Sequence, residues 1–531
     1  MNAQTLDRPV DAVVVKGSNL PGFSTNPPIA LDRFHLYRWT GSAFEPIPFQ
    51  FDEIKEWDLY LNTTQCLPCA GQPGCTIPNT PVTSQCETNY AFDFLGGGTV
   101  GTDESPGIDD NDELVFLARD AGSEAPEGSW LAGSGVHNER YDIRVADEEM
   151  ENNEIQVVGV GYVYLFQFDT SHATEYTRHY IDWEAKGTAP DPDRNEQCHS
   201  GDPDSVRGSK ACGWFRANPS SGTGQASYPT LDLRYIGNWT INRLKYRAAG
   251  AANPNSDVID RLKYRLCAPG AAACETEYGW GANGCPLFLG LKSYPGNSDA
   301  PVRGVRTVQG ALSGTFATRT DYFLGTHLVS RVRLRVHNGT PPLRQHIDFL
   351  EDALPLDLYT ALYPPTGSTI ADVINGLGAD HAPVGSYSDP DESVYNWNQF
   401  GSPSAGQFVQ FIRETRPLFF EGAASYYYDD TAGEDDEDNP QHEPKTYGNP
   451  GAMWGIQSLD MQDLTCRDIP DDPEGKWREV ETYLFAIDSG RTALDYLDWL
   501  QRPLRTYPVK TVQASIPDPP APPCEPSVAG T

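Results

Sequence analysis

The chain has 531 residues, 38% hydrophobic and 11% aromatic, enough to bury a large core and to exclude global disorder. Its 39 basic and 74 acidic residues give a formal charge of −35, which excludes a general nucleic-acid binder, a class that needs a basic footprint. Gly (49) and Pro (44) are abundant and Met (4) is scarce, the composition of short strands joined by turns rather than of long helices.

In chain order, residues 8–60 read as strands, with β-formers at 13–15, 34–39 and 44–51 set off by Pro and Gly. A polar insert at 62–90 then carries Cys66, Cys69, Cys75 and Cys86. Three more of the eleven cysteines lie between 267 and 285. Loops of this kind bury little apolar surface, so disulfides formed under oxidising conditions are the expected way to order them. A four-thiolate zinc site is the competing reading of the insert, although its spacing is irregular. The cysteine count is odd, and Cys524 in the Pro-rich tail is the expected unpaired thiol.

The first acidic loop, 107–113, offers Asp109, Asp110 and Asp112. Clustered hard oxygens are what calcium requires, but the EF-hand spacing is absent. A turn leading into a strand explains the same residues. A short buried strand is expected at 114–118, and alternation marks further strands at 141–145 and 154–169. Next come Tyr176, Arg178, His179 and Tyr180, candidate catalytic residues for β-elimination of a uronate. There Tyr or His would take the C5 proton and Arg would neutralise the neighbouring carboxylate.

Strand patterns resume at 231–241 and are strongest at 299–350. Residues 301–350 hold seven Arg against two Asp and no Glu. Alternation places Arg331, Arg333 and Arg335 on one strand face, a stripe about 13 Å long. One reading is a groove for an anionic ligand such as an acidic polysaccharide; the other is cross-strand pairing with this chain's own carboxylates. Phe408, Phe411 and Ile412 fall on one helical face. Leu494, Leu497 and Leu500 fall on another, with Thr492 and Asp495 as a capping-box-like start. A second acidic loop at 429–443 supplies Asp429 and Asp430 as further candidate metal ligands, beside Tyr427 as a candidate sugar-stacking ring.

No segment is long and apolar enough to span a membrane as a helix. Residues 1–22 lack the cationic head and hydrophobic middle of a signal peptide, so a secreted chain is expected here in its mature form. The G-x-S-x-G elbow, the H-E-x-x-H helix, the phosphate-binding loop and the dinucleotide fingerprint are all missing. No repeat of 20–50 residues points to a propeller or solenoid.

Three stretches together carry a resemblance. They are Pro46-Ile47-Pro48-Phe49-Gln50-Phe51-Asp52-Glu53, the run from Asp110-Asn111-Asp112-Glu113 to Asp120-Ala121-Gly122, and Ala300-Pro301-Val302-Arg303-Gly304-Val305-Arg306. The combination resembles an uncharacterised group of secreted bacterial and archaeal β-rich proteins, and it brings no catalytic residues with it. The late strands are also similar, at the level of fold, to the supersandwich domains of polysaccharide lyases, without the helical toroid that accompanies them in several families.

The sequence therefore predicts an all-β fold: a large antiparallel supersandwich or tandem β-sandwiches with a few peripheral helices. The expected division is an N-terminal β region at 1–150 with its insert at 62–90, a central β-sandwich at 151–360, a C-terminal β region at 361–512 with short helices, and a Pro-rich tail at 513–531. The expected function is secreted, at the cell surface or beyond it: binding or cleaving an acidic polysaccharide, with calcium and disulfides for stability. If it is an enzyme, a polysaccharide lyase or another carbohydrate-active enzyme is expected. The alternative is a non-catalytic surface or matrix protein that self-assembles or joins other secreted proteins.

Overall fold

The computed structural model describes residues 6–8, 10–20, 29–52, 54–58, 90–94, 110, 112–133, 135–173, 179–185, 213–217, 228–235, 240–266, 287–292, 299–312, 315–335, 343–360, 372–374, 396–414, 423–426, 451–454 and 477–513. All eleven cysteines lie outside them. The described strands pair antiparallel, and the all-β expectation holds.

Two nine-stranded sheets form the body. The front sheet runs Leu287–Lys292, Gly304–Leu312, Thr315–Phe323, His327–Arg335, Trp477–Ala486, Gly406–Glu414, Asn396–Ser402, Leu356–Thr360 and Asp372–Ile374. The back sheet runs Asp299–Ala300, Ile181–Ala185, Gly213–Ala217, Thr230–Tyr235, Ile241–Arg247, Ile259–Leu266, Leu343–Phe349, Gly451–Trp454 and Ala423–Tyr426. Leu328, Val332, Val480 and Leu484 of the front sheet and Leu233, Leu244 and Ile347 of the back sheet belong to one buried cluster, so the sheets face each other as a large sandwich.

A three-stranded sheet, Ala12–Lys16, Glu113–Leu117 and Gln50–Asp52, lies against this body. Its Val115 and Leu117 join the sandwich core, while Val13, Val15, Leu114 and Phe116 join a second cluster. With both faces covered, the middle strand reads as an unbroken apolar run rather than an alternation. The second cluster also contains Tyr141, Ile143, Val145 and Leu165 of a five-stranded sheet: Arg505–Val512, Val136–Glu151, Glu154–Phe168, Phe34–Trp39 and Phe44–Pro46. The long hairpin in that sheet turns at Asn152 and Asn153, both with positive φ (52° and 65°), the pair of conformations a two-residue type I′ turn demands. Ile54–Asp58 and Tyr90–Phe94 pair separately.

Two helical expectations are settled differently. Residues 408–412 lie in the strand Gly406–Glu414, with Phe408 and Ile412 in the sandwich core and Phe411 on the opposite side. A strand buried on both faces has no polar alternate positions, and its i, i+3, i+4 spacing imitates a helix. The second pattern is a helix, Ala493–Gln501, and Asp495 accepts from the Thr492 backbone N–H at 2.6 Å as its cap. Its buried stripe is Ala493, Tyr496 and Trp499; Leu494 is exposed and Leu497 and Leu500 are half-buried. Tyr496 and Trp499 pack with Val409, Phe411 and Phe485 on the outer side of the front sheet.

Candidate cleft on the outer face of the front sheet

Strand alternation builds the site. In His327–Arg335, Leu328 and Val332 point into the sandwich, and His327, Val329 and Arg331 point out. In Trp477–Ala486, Val480 and Leu484 point in, and Glu481, Tyr483 and Phe485 point out. The register sets Arg331 opposite Glu481, Val329 opposite Tyr483 and His327 opposite Phe485. On the far side of Glu481 stands Arg413. These outward residues floor a cleft of about 740 Å³. The segment Asp11–Val14, the helix end at Trp499–Gln501 and Pro503–Leu504 make the walls. Arg8 joins them: its guanidinium donates to the Trp499 carbonyl at 2.6 Å and to the Arg502 carbonyl, and pairs with Asp11 at 2.5 Å. Burial lifts the Asp11 carboxyl to about 6 against the pull of Arg8.

Two ion-pair knots face each other across Tyr322. In the first, Arg331 donates to Glu481 Oε1 through Nε (2.9 Å) and Nη2 (2.6 Å), lies 3.7 Å from Glu479, and Tyr483 donates to Glu481 Oε2 at 2.7 Å. In the second, Arg303 donates to Asp52 Oδ2 at 2.8 Å and pairs with Glu113. Gln50 closes that knot, donating to Asp52 at 2.9 Å and accepting from the backbone N–H groups of Val302 (3.0 Å) and Arg303 (2.9 Å). The Arg303 and Arg331 guanidinium carbons stand 5.0 and 5.7 Å from the centre of the Tyr322 ring. Burial pushes the Asp52 carboxyl and the Tyr322 phenol upward, the latter to about 12, and pushes His327 down to about 3. His327 is neutral throughout the physiological range, stacked on Phe485 at 4.5 Å. Gln50, Asp52, Glu113 and Arg303 come from three stretches far apart in the sequence, which meet in one buried knot at the edge of the cleft.

Three of the seven arginines of the stretch, Arg303, Arg306 and Arg319, are buried. Arg306 and Arg319 are fully buried inside the sandwich around Asp321, which also accepts from Tyr235 (2.9 Å) and Ser330 (2.5 Å). Arg331 reaches the cleft with its side chain 42% exposed and already paired. The register puts Arg333 opposite Glu479 and Arg335 opposite Trp477; their side chains lie outside the described residues.

Of the other expected site residues, those that are described, Asp110, Asp112, His179 and Tyr180, do not line the cleft. Tyr180 is buried in the sandwich core, donates to Asp120 at 2.9 and 3.0 Å, and sits under Arg119. Burial and the Asp120 charge hold its phenol above the ordinary tyrosine range. His179 pairs with Asp182 at 2.9 Å. Tyr176, Arg178 and Tyr427 lie outside the described residues, as do Asp109, Asp429 and Asp430. Asp110 is exposed and Asp112 buried, and their carbonyls accept from Ser18 and Gly17. Among the described residues no group of three or more His, Cys, Asp or Glu is placed to hold a metal ion. Sequence reading missed Glu479, Glu481 and Tyr483. The signal was available: Glu-x-Glu-x-Tyr on one strand complements Arg-x-Arg-x-Arg on another.

No family model matches the chain, and no curated protein matches it. Among solved structures it is similar to an Escherichia coli K12 protein assigned as an aldose 1-epimerase, at 9% identity, over 50% of this chain and 98% of that one, with a TM-score of 0.24. A likeness of that size carries no weight for the function of this chain.

Proposed function

We propose that the protein binds a carbohydrate in this cleft. The observation that carries the reading is the Arg331–Glu481–Tyr483 knot: fixed donors and acceptors aimed into a concave site of about 740 Å³, beside the apolar wall of Val14, Leu500 and Leu504. Paired guanidinium and carboxylate groups match vicinal hydroxyls, and apolar side chains match the C–H face of a sugar ring. Binding is better supported than cleavage, because Glu481 is clamped by Arg331 and Tyr483 and Tyr180 is committed to Asp120. A secreted location agrees with the acidic composition and the eleven cysteines of the sequence. The test is calorimetric titration of the whole chain with a panel of oligosaccharides, with Arg331→Ala and Tyr483→Phe beside it. Saturable binding weakened at least about tenfold by Arg331→Ala supports the reading; binding unchanged in both variants removes the cleft from it.

A second reading, assembly with itself or another protein, has its own observation. Met150 (70% exposed), Ile155 (63%) and Val157 (49%) cluster at the tip of the long hairpin, and Val509 (59%) lies on the edge strand beside it. Light scattering across a concentration series would show association that Met150→Lys with Ile155→Lys abolishes; a monomer at every concentration would remove self-assembly.

A further inference from the structure

We infer that the cleft takes a glycan without carboxylate or sulfate groups. This rests on the carbohydrate reading above and names the ligand class for it. An acidic ligand needs cationic groups whose charge is not already matched. Among the described residues, each arginine of the cleft stands beside or across from a carboxylate. Arg303 stands between Asp52 and Glu113, and Arg331 between Glu481 and Glu479. Arg8 is held by Asp11, and Arg413 faces Glu481 across the strands. Among the described side chains, five carboxylates thus stand against these four guanidiniums, before counting Asp147, which Arg8 shares with Arg502.

A uronate or a sulfated sugar would have to displace one of these carboxylates or sit beside it. Displacement strands Glu481 or Asp52, both nearly sealed from water, and a stranded buried charge is expensive. Juxtaposition places like charges together in a partly dry site, which is also unfavourable. A hydroxyl has no such conflict. It can donate to the outer lone pairs of a carboxylate that the arginine leaves open, and accept from an arginine N–H, with both ion pairs intact. The net charge of −35 acts in the same direction at long range, slowing the approach of any polyanion.

The experiment titrates the full-length chain with two oligosaccharides matched in length and linkage, a neutral hexose oligomer and its uronate counterpart, at low and at physiological salt. The neutral oligomer should bind at least about tenfold more tightly, with little dependence on salt. Equal or tighter binding of the uronate, weakening as salt rises, overturns the inference. Binding of neither overturns the carbohydrate reading and this inference with it. Glu481→Gln supplies a gain-of-function arm, because it strips Arg331 of its nearest countercharge: uronate affinity should rise several-fold while neutral affinity does not. Glu479→Gln, which removes the more distant partner, makes the same test with less disturbance to the fold. No gain of uronate affinity in either variant also overturns the inference.

Discussion

Replacing Arg303 with Met tests whether the buried knot is an electrostatic joint between sheets. Met retains most of the side-chain bulk and removes the charge. Arg303 is 6% exposed and Asp52 2%, so the substitution leaves Asp52 and Glu113 without their shared cation in a site poor in water. Breaking a buried pair in this way costs about 3–5 kcal/mol. The cost should depend on pH with a definite sign. Burial already pushes the Asp52 carboxyl up, and Arg303 is the largest influence pulling it back down. Without Arg303 the carboxyl rises further. A group whose folded pKa lies above its unfolded value stabilises fully below the unfolded value, 3.8 here, and that contribution is lost as pH rises through the folded pKa. The variant should therefore be most deficient near neutrality and approach the parent as Asp52 takes up a proton. Urea denaturation followed by tryptophan fluorescence, near pH 7 and near pH 5, measures both quantities. Adding Asp52→Asn should recover about half of the loss near pH 7 by removing one of the two stranded charges. A deficit below about 1 kcal/mol, or one of equal size at both pH values, would refute the electrostatic account.

Tyr180→Phe should cost about 1–3 kcal/mol, because buried Asp120 loses a donor, while sugar binding stays unchanged; weakened binding at full stability would return Tyr180 to the site. Gly304→Ala should destabilise by about 1–3 kcal/mol, since a Cβ there would stand 2.4 Å from the Phe215 ring in the core; a neutral effect on the urea midpoint would show that the ring can move aside. His327, pushed down to about 3 by burial, should show no imidazole titration by NMR between about pH 5 and 8. Its folded pKa lies below its unfolded 6.5, so its contribution is present above pH 6.5 and lost as pH falls toward 3. Acid unfolding of His327→Asn should accordingly be less steep over that window, and an unchanged slope would count against the assignment.

Sequence by itself determined the class of structure. Alternation at 141–145 and in the long run after 154, β-formers at 13–15 and 34–39, and many turn residues specify strands because side-chain period and turn chemistry are local properties of the chain. The capping pair Thr492 and Asp495 marked the helix start for the same reason. Period alone could not separate strand from helix at 408–412, where both faces are buried and the polar alternate positions vanish. Of the predicted helix face, Leu497 and Leu500 pack on the sheet beside Tyr496 and Trp499, whereas Leu494 is exposed.

Tertiary structure alone decided the site. Arg331 was visible as a candidate, but its partners Glu481 and Tyr483 lie some 150 residues away, brought alongside by strand order rather than by any local pattern. Arg303 meets Gln50 and Asp52 across a still longer separation. Seven arginines against two aspartates left both an anion groove and cross-strand pairing open, because sequence counts charge without depth. The fold buries Arg303, Arg306 and Arg319 and pairs Arg331 with Glu481 and Glu479. Electrostatic character depends on which opposite charge stands within a few ångströms, and that is set by packing between distant segments.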